Sequence, residues 1–475
     1  MRSKKKTLLI LLIAVVLMAS VLVLTISFLR AREENKGPAQ RLSHDVLQVD
    51  IAQVKSMDVH GPGAEPYRLE LNGSYNGTLE GVPADVELDT MMLSLFISKF
   101  TSIRSYHDPL MLNSGNTLAD YGLETPRGYV VVENMDGSSY KVLVGNQTVK
   151  KNGYYLHVEG SDAVYVVENA YFEYLQYTTE DYIDKQLASV DQDNGFTITQ
   201  LSIQNLERDY QAITIRMRFG QYEDNSIYLY EVVEPEYHSG DDYKITENVF
   251  AYLNPLKGKA VYSLDTSEQN LTALGLMEPQ YVLRFIHEGV EREFLFTQLE
   301  TGEVLGMKNG GGVILEMDPG ILHMLNIRVA DVSNAYVLLQ SISEIEHYIV
   351  TANGTEYDFT VSSAEGELTG ASYLGRELTA EAFRELYSRG LDIKITGDMD
   401  DTQAYGRHIL NITYQTANGE KQSVDYYEFD GRYCCVTLNG TGRFLARLSD
   451  LEAFTEYLEV LANGGQKTVL KGATA

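Results

Sequence analysis

The feature that most constrains this chain is a nine-residue step that occurs twice with identical internal spacing. Leu118-Ala-Asp-Tyr-Gly122-Leu123-Glu-Thr-Pro126 recurs as Leu271-Thr-Ala-Leu-Gly275-Leu276-Met-Glu-Pro279. A strand-like run follows each copy, Tyr129 to Glu133 in the first and Tyr281 to Ile286 in the second. Each run turns at a polar-glycine dipeptide (Asp136-Gly137, Glu288-Gly289) and enters a second strand, Tyr140 to Val144 or Glu293 to Phe296. Turn chemistry and the content of Val, Tyr, Phe and Ile predict hairpins. Internal repeats of this kind signal a supersecondary unit used more than once.

A second segment closes each unit. It reads Asn152-Gly-Tyr-Tyr-Leu-His-Val-Glu-Gly160 in the first and Asp430-Gly-Arg-Tyr-Cys-Cys-Val-Thr-Leu-Asn-Gly440 in the third. The second keeps a degraded version, Gly302-Glu-Val-Leu-Gly-Met-Lys-Asn-Gly310. Helix starts are expected afterwards at Asn169, at Asp318-Pro319, and at Ser449-Asp-Leu-Glu452, which has the form of a capping box. Each unit also has a leading helix: Val86–Phe100, one opened by Thr246, and one opened by Thr379. Leu88, Met92, Leu95 and Phe96, and separately Phe383, Leu386 and Tyr387, fall at helical spacing and predict core-facing stripes. Unit three carries Tyr405-Gly406-Arg407 in place of the glycine-leucine step.

The fold expected from these patterns is α+β: an N-terminal transmembrane helix, then three repeated units of mainly antiparallel sheet with helices on one face. The boundaries are a cytoplasmic basic tail at 1–6, the span at 7–29, a juxtamembrane linker at 30–44, units at 45–188, 190–332 and 333–463, and a disordered tail at 464–475. The run from Thr7 to Leu29 is long enough to cross a hydrocarbon core of ~30 Å, making the lipid bilayer its expected partner. Phe28-Leu29-Arg30-Ala31-Arg32 is a poor cleavage site, which argues against a removed signal peptide. Arg2, Lys4, Lys5 and Lys6 outweigh Arg30 and Arg32, so the positive-inside rule keeps the N-terminus cytoplasmic and the body extracytoplasmic.

Beyond Arg32 the chain holds 32 basic against 67 acidic residues, a net charge of −35. That field disfavours nucleic acid and anionic lipid surfaces as partners. The only cysteines, Cys434 and Cys435, are chain neighbours and read as two buried small residues on opposite faces of a strand. No phosphate-binding GxxxxGK[ST], GxSxG elbow or HExxH is present, and the nine histidines have no zinc-ligand spacing. Asp398-Met-Asp400-Asp401 and Asp241-Asp242 read as acidic turns. These residues nominate no catalytic, cofactor or metal site. A hydrolase would show itself instead as a cluster of buried, pKa-shifted carboxylates in one cleft.

The anchor, the Leu-x-x-Tyr/Leu-Gly-Leu-x-x-Pro step, the hairpin ending in Val144-Gly145-Asn146, and Gly153-Tyr154-Tyr155-Leu-His-Val-x-Gly160 together resemble domain-of-unknown-function family 4340. The resemblance implies a bacterial envelope protein accompanying an ABC transporter of the gliding-motility type, with its permease and auxiliary subunits as partners. It brings no catalytic residues. The expected function is therefore a membrane-anchored, non-catalytic accessory or scaffold protein. An envelope adhesin or cell-wall-polymer-binding module is the alternative, and a secreted hydrolase a third reading.

Overall fold

Short runs rich in β-branched and aromatic residues, broken by glycine-containing turns, pair into antiparallel sheets in the computed structural model. It describes residues 44–190, 198–208, 212–218, 229–399 and 404–464. Among these residues there are four sheets, of two, eight, ten and nine strands. The chain divides into two compact units, Met1–Asp184 and Lys185–Ala475.

The first unit holds the two-stranded and eight-stranded sheets. His44–Gln48 pairs with Ser102–Ser105. The larger sheet is centred on Val54–His60, Gly128–Asn134, Ser139–Gln147 and Tyr154–Val158. Val54, Met57, Val59, Val130, Val132, Val142, Val144 and Leu156 are fully buried on one face. The helix Thr90–Thr101 is capped by Asp89, whose side chain accepts the Met92 amide at 3.0 Å. It lays Leu93, Phe96, Ile97 and Phe100 into that core, all with no exposed surface. Each contributes roughly 1.5–3 kcal/mol of apolar burial. The core stripe is thus rotated from the expected one. Residues 86–88 are not helical, the cap fixes the start at Thr90, and Leu95 is left exposed.

The second unit holds the ten- and nine-stranded sheets around one continuous apolar cluster. In the ten-stranded sheet Tyr281–His287 and Val290–Gln298 form the expected hairpin about Glu288-Gly289. In the nine-stranded sheet Ile345–Ala352 pairs with both Thr355–Ala364 and His408–Thr416. The helix Ala380–Leu391, capped by Thr379, buries Phe383, Leu386 and Tyr387 as the spacing predicts.

The glycine-leucine step has one geometry in both copies. Gly122 and Gly275 sit in the left-handed region at φ 69° and 71°, where a side chain is disfavoured. The amides of Leu123 and Leu276 donate to the carbonyls of Leu118 and Leu271 at 2.9 and 2.8 Å, closing a short helical turn in the manner of a C-cap. Leu123 then packs with Leu143 and Val164, and Leu276 with Leu305, Met307 and Ile314. Alternation along the strands makes these small clusters the second face of each sheet. In the nine-stranded sheet Tyr405 takes a different course: its ring stacks on Tyr427 at 5.1 Å.

The expected α+β class does not hold. The described residues are mostly antiparallel β-sheet, in four sheets with few helices. Among them no helix is long and apolar enough to cross a membrane. The physical reason is the brevity of the helical runs: Ala170–Tyr174 and Ile321–Leu325 have five residues each and Asp242–Asn248 seven. Helices so short do not hold by propensity; they are turns pinned between hairpins. Some starts also shift, while Asn169 is the N-cap of Ala170–Tyr174 as expected. Asp241, and not Thr246, opens the helix of the ten-stranded sheet. Arg447 is the N-cap of Leu448–Ala462, so Ser449 lies inside that helix. The tail 1–6, the run 7–29 expected to cross the bilayer, all but the last residue of 30–44, and the residues beyond Gly464 lie outside the described residues.

Candidate functional site

Within the second unit a seam of backbone hydrogen bonds joins the edges of the two sheets. Tyr230–Glu234 turns back on itself through Pro235 and Glu236 and pairs with His238–Ser239. Gly240 then bridges to Ser333, and the Asn334 amide donates to the Ser239 carbonyl at 2.8 Å. At the next residue, the Ile395 amide donates to the Ala335 carbonyl, also at 2.8 Å. That bond starts Ile395–Asp398, the edge strand of the nine-stranded sheet, which pairs with Thr441–Arg447 so that Asp398 faces Phe444. The connector at 333–335 therefore draws the Glu236 turn and the end of the Asp398 strand together.

Several ionisable side chains meet at this seam. The Asp398 carboxylate accepts the Ala330 amide with both oxygens, at 3.2 and 3.1 Å. Burial pushes its carboxyl up to about 6, and Asp331 adds to the rise. The Ala330 bond, Arg328 and Arg208 act the other way. Glu236 is pushed up to about 7, first by burial and then by the charge of Asp398, while the backbone amide and guanidinium of Arg443 oppose. A side chain on Gly442 would meet the Glu236 carboxylate at 3.3 Å, so a glycine there leaves room for the acid.

His238 lies beside them, 1 % exposed, its ring 4.9 Å from that of Phe444. Its Nδ1–H donates to the Ser239 carbonyl at 3.0 Å, leaving Nε2 as the acceptor. Nε2 is buried with no partner at hydrogen-bonding distance among the described residues. Burial holds this imidazole below its usual pKa, against weaker raising influences from the Ser239 and Val337 backbone, so it stays neutral. Lys244 donates to the carbonyls of Ala330 and Ser333 at 2.9 and 3.0 Å and holds the connector from behind.

Chemically, the seam offers two carboxyls able to take up or release protons near neutrality, flanked by arginines. Among the described residues it offers no activated thiol or phenol. Burial pushes the Cys435 thiol up to about 11 and Cys434 up to about 12, and Tyr405 is raised as well. Both cysteines are free and fully buried. Among the described residues no group of three or more His, Cys, Asp or Glu could hold a metal.

Neither carboxylate carried a sequence signal. Asp398 belongs to the segment read as an acidic turn; it ends a strand instead, and Asp400 and Asp401 lie outside the described residues. Asp241 and Asp242, read the same way, have structural posts. Asp241 caps a helix by accepting the Tyr243 and Lys244 amides, and Asp242 accepts those of Leu229 and Tyr230. His287, beside Glu288, bonds Arg292 at 2.8 Å within its hairpin.

Two of the hollows elsewhere carry several charged side chains. One in the first unit, about 520 Å³, is lined by Asp58, His60, Tyr67, Arg68 and Thr178 among others. Its cation is already engaged: Arg68 bonds Asp58, Glu70 and Glu133 at 2.7, 2.6 and 2.9 Å. Lys55 joins Glu133 from the other side, and the two cations bring the Glu133 carboxyl down to about 2. The other, about 650 Å³, lies along the helix Leu448–Ala462.

Comparison with known proteins gives one match. Residues 83–279 fit the family model described as a Domain of unknown function (DUF4340), a stretch that spans both copies of the glycine-leucine step. The chain matches no curated protein and no solved structure.

Proposed function

We propose that this protein is an extracytoplasmic, non-catalytic accessory or scaffold component of an ABC transporter complex. The observation that carries the reading is where the repeated step spends its residues. Leu123 and Leu276 are 1 % exposed and fill the second face of their sheets, and Gly122 and Gly275 serve only to turn the chain into that position. The most distinctive sequence feature thus builds a frame and places no polar group in a cavity. The family match over 83–279 supports the resemblance to the domain-of-unknown-function family; the accessory role and the transporter as partner are what that resemblance implies. The strongly acidic body favours contact through protein faces over nucleic acid.

The test is crosslinking in intact native cells, pull-down of the full chain, and mass spectrometry. Permease or ATPase subunits among the leading partners are the expected result. Recovery of wall polymer, or of the chain alone, would overturn this reading and favour the adhesin alternative.

A second reading, a hydrolase, is favoured by one observation: Glu236 and Asp398 are half-buried carboxyls raised towards neutrality at a single seam. Turnover of an envelope polysaccharide by the purified chain, lost on Glu236→Gln, would establish it. No turnover on such substrates would remove it.

A further inference from the structure

The helix Leu448–Ala462 differs from the other long helix of its sheet in how it handles charge. Ala380–Leu391 mixes signs and pairs Glu385 with Arg389 at 2.7 Å. Leu448–Ala462 contains Asp450, Glu452, Glu456 and Glu459 and no Lys or Arg. Glu452 and Glu456 are four residues apart, where like charges repel along a helix. Glu459 lies near the C-terminus, where the dipole disfavours an anion. The helix supplies no cation of its own to offset these like charges.

Those glutamates line a groove of about 650 Å³. One wall is the exposed face carrying Glu452, Glu456 and Glu459, with Thr455 between them. The opposite wall is the end of strand Lys421–Glu428 and the turn after it, bringing Glu428 and Asp430. Both of these are firmly ionised: Arg407 holds the Glu428 carboxyl down, and the amides of Arg432 and Tyr433 hold Asp430 down. Between the walls lies an apolar floor of Ile409, Phe429 and Leu448, each only partly covered. Acidic walls over an apolar floor suit a ligand with cations at its sides and an apolar anchor between them.

We propose that this groove docks a basic amphipathic peptide segment of a partner protein. The three helix carboxylates span ~10 Å along the axis, which an extended peptide matches with cationic residues about three positions apart. An apolar side chain between them then reaches Phe429 and Leu448. The floor separates such a segment from a small polycation or a metal ion, neither of which would use it. The proposal rests on the partner-docking role given above but not on the partner's being a transporter. A pull-down without transporter subunits leaves it standing, and failure of peptide binding leaves the pull-down result standing.

The experiment measures binding of a short synthetic lysine–leucine peptide to the purified chain by fluorescence anisotropy. Changing Glu452, Glu456 and Glu459 together to Gln is expected to weaken binding about tenfold or more, through three lost charge contacts. The thermal midpoint should stay equal or rise, because helix repulsion is removed. Phe429→Ala should weaken binding separately. A Lys replacement of the same three glutamates is expected to switch preference to a glutamate–leucine peptide, a gain that misfolding could not produce. Equal binding by parent and Gln variant would overturn the proposal. So would equal binding of a lysine–glycine peptide without leucine, since the floor would then play no part.

Discussion

The Asp241 amide donates to the Val332 carbonyl at 2.8 Å, and the Asp89 amide donates to that of Tyr182 at the same distance. Both aspartates cap a leading helix, and both acceptors close a 3-10 turn near the end of the same sheet's chain segment. An isolated bridge lies one residue to the side in each case, Leu88 with Ile183 and Gly240 with Ser333. In both, the start of the helix is fastened by the end of the segment it introduces. A helix of seven residues such as Asp242–Asn248 persists because of this fastening.

Asp241→Ala should therefore be felt beyond the helix. It strips the cap from the Tyr243 and Lys244 amides, a loss of about 0.5–2 kcal/mol. Chemical denaturation of the variant should show a lowered midpoint. An unchanged midpoint would mean that the backbone bond to Val332 suffices.

Leu123→Ala and Leu276→Ala should each open a cavity behind a hairpin. Both side chains are almost fully covered, so a cost of about 2–5 kcal/mol is expected for each. Thermal unfolding should show lower transitions for both. Loss from only one would mean that the two copies of the step do different work.

Gly122→Ala and Gly275→Ala separate two sources of cost. Both carry the penalty of a positive φ, about 1 kcal/mol. At Gly122 the new methyl would also meet the Asn146 side chain at 2.5 Å, whereas at Gly275 the nearest atom is Thr297 Oγ1 at 3.3 Å. Gly122→Ala should thus be the more damaging in parallel denaturation curves. Equal effects would show that Asn146 swings aside freely.

The seam carboxyls give a pH dependence of definite sign. Glu236 and Asp398 are held above their ordinary values, so the folded chain keeps protons that the unfolded chain has released. That contribution is fully present below the ordinary carboxylate pKa. It is lost as pH rises through about 6 for Asp398 and about 7 for Glu236. Glu236→Gln should flatten the decline of the second unit's thermal midpoint over this window. A parent midpoint that rises from mildly acid to neutral pH would contradict the assignment, because no net loss would then need explaining.

Cys434 and Cys435 should resist thiol reagents under native conditions. Both have no exposed surface and raised thiols, and the thiolate is the reactive form. Labelling should appear only with denaturant. Rapid native labelling of either would show that Tyr433–Leu438 opens readily.

The hairpins were legible because their information is local: Glu288-Gly289 lies between two runs of strand-forming residues, and the two strands pair with no offset. The glycine-leucine step was legible as a repeat, but its role as the plug of a second sheet face emerges only from the long-range contacts of Leu143 and Leu305. Helix boundaries misled. Asp89 and Asp241 outcompeted Val86 and Thr246 because a side-chain acceptor at the cap fixes the start, and the stripe on Thr90–Thr101 turned with it. The Glu236–Asp398 seam left no trace in the sequence. Its members lie on different sheets, and it is the backbone bonds of Ser333, Asn334 and Ala335 that bring them together.

Those same bonds determine how the second unit answers a mechanical load. A connector without them would let its two sheets part under tension and unravel in turn. Here the Asn334–Ser239 and Ile395–Ala335 bonds stitch sheet edge to connector to sheet edge, and one apolar cluster runs beneath both sheets. Stretching the connector means tearing the stitches and baring the shared core in one event, so the two sheets resist as a single spring.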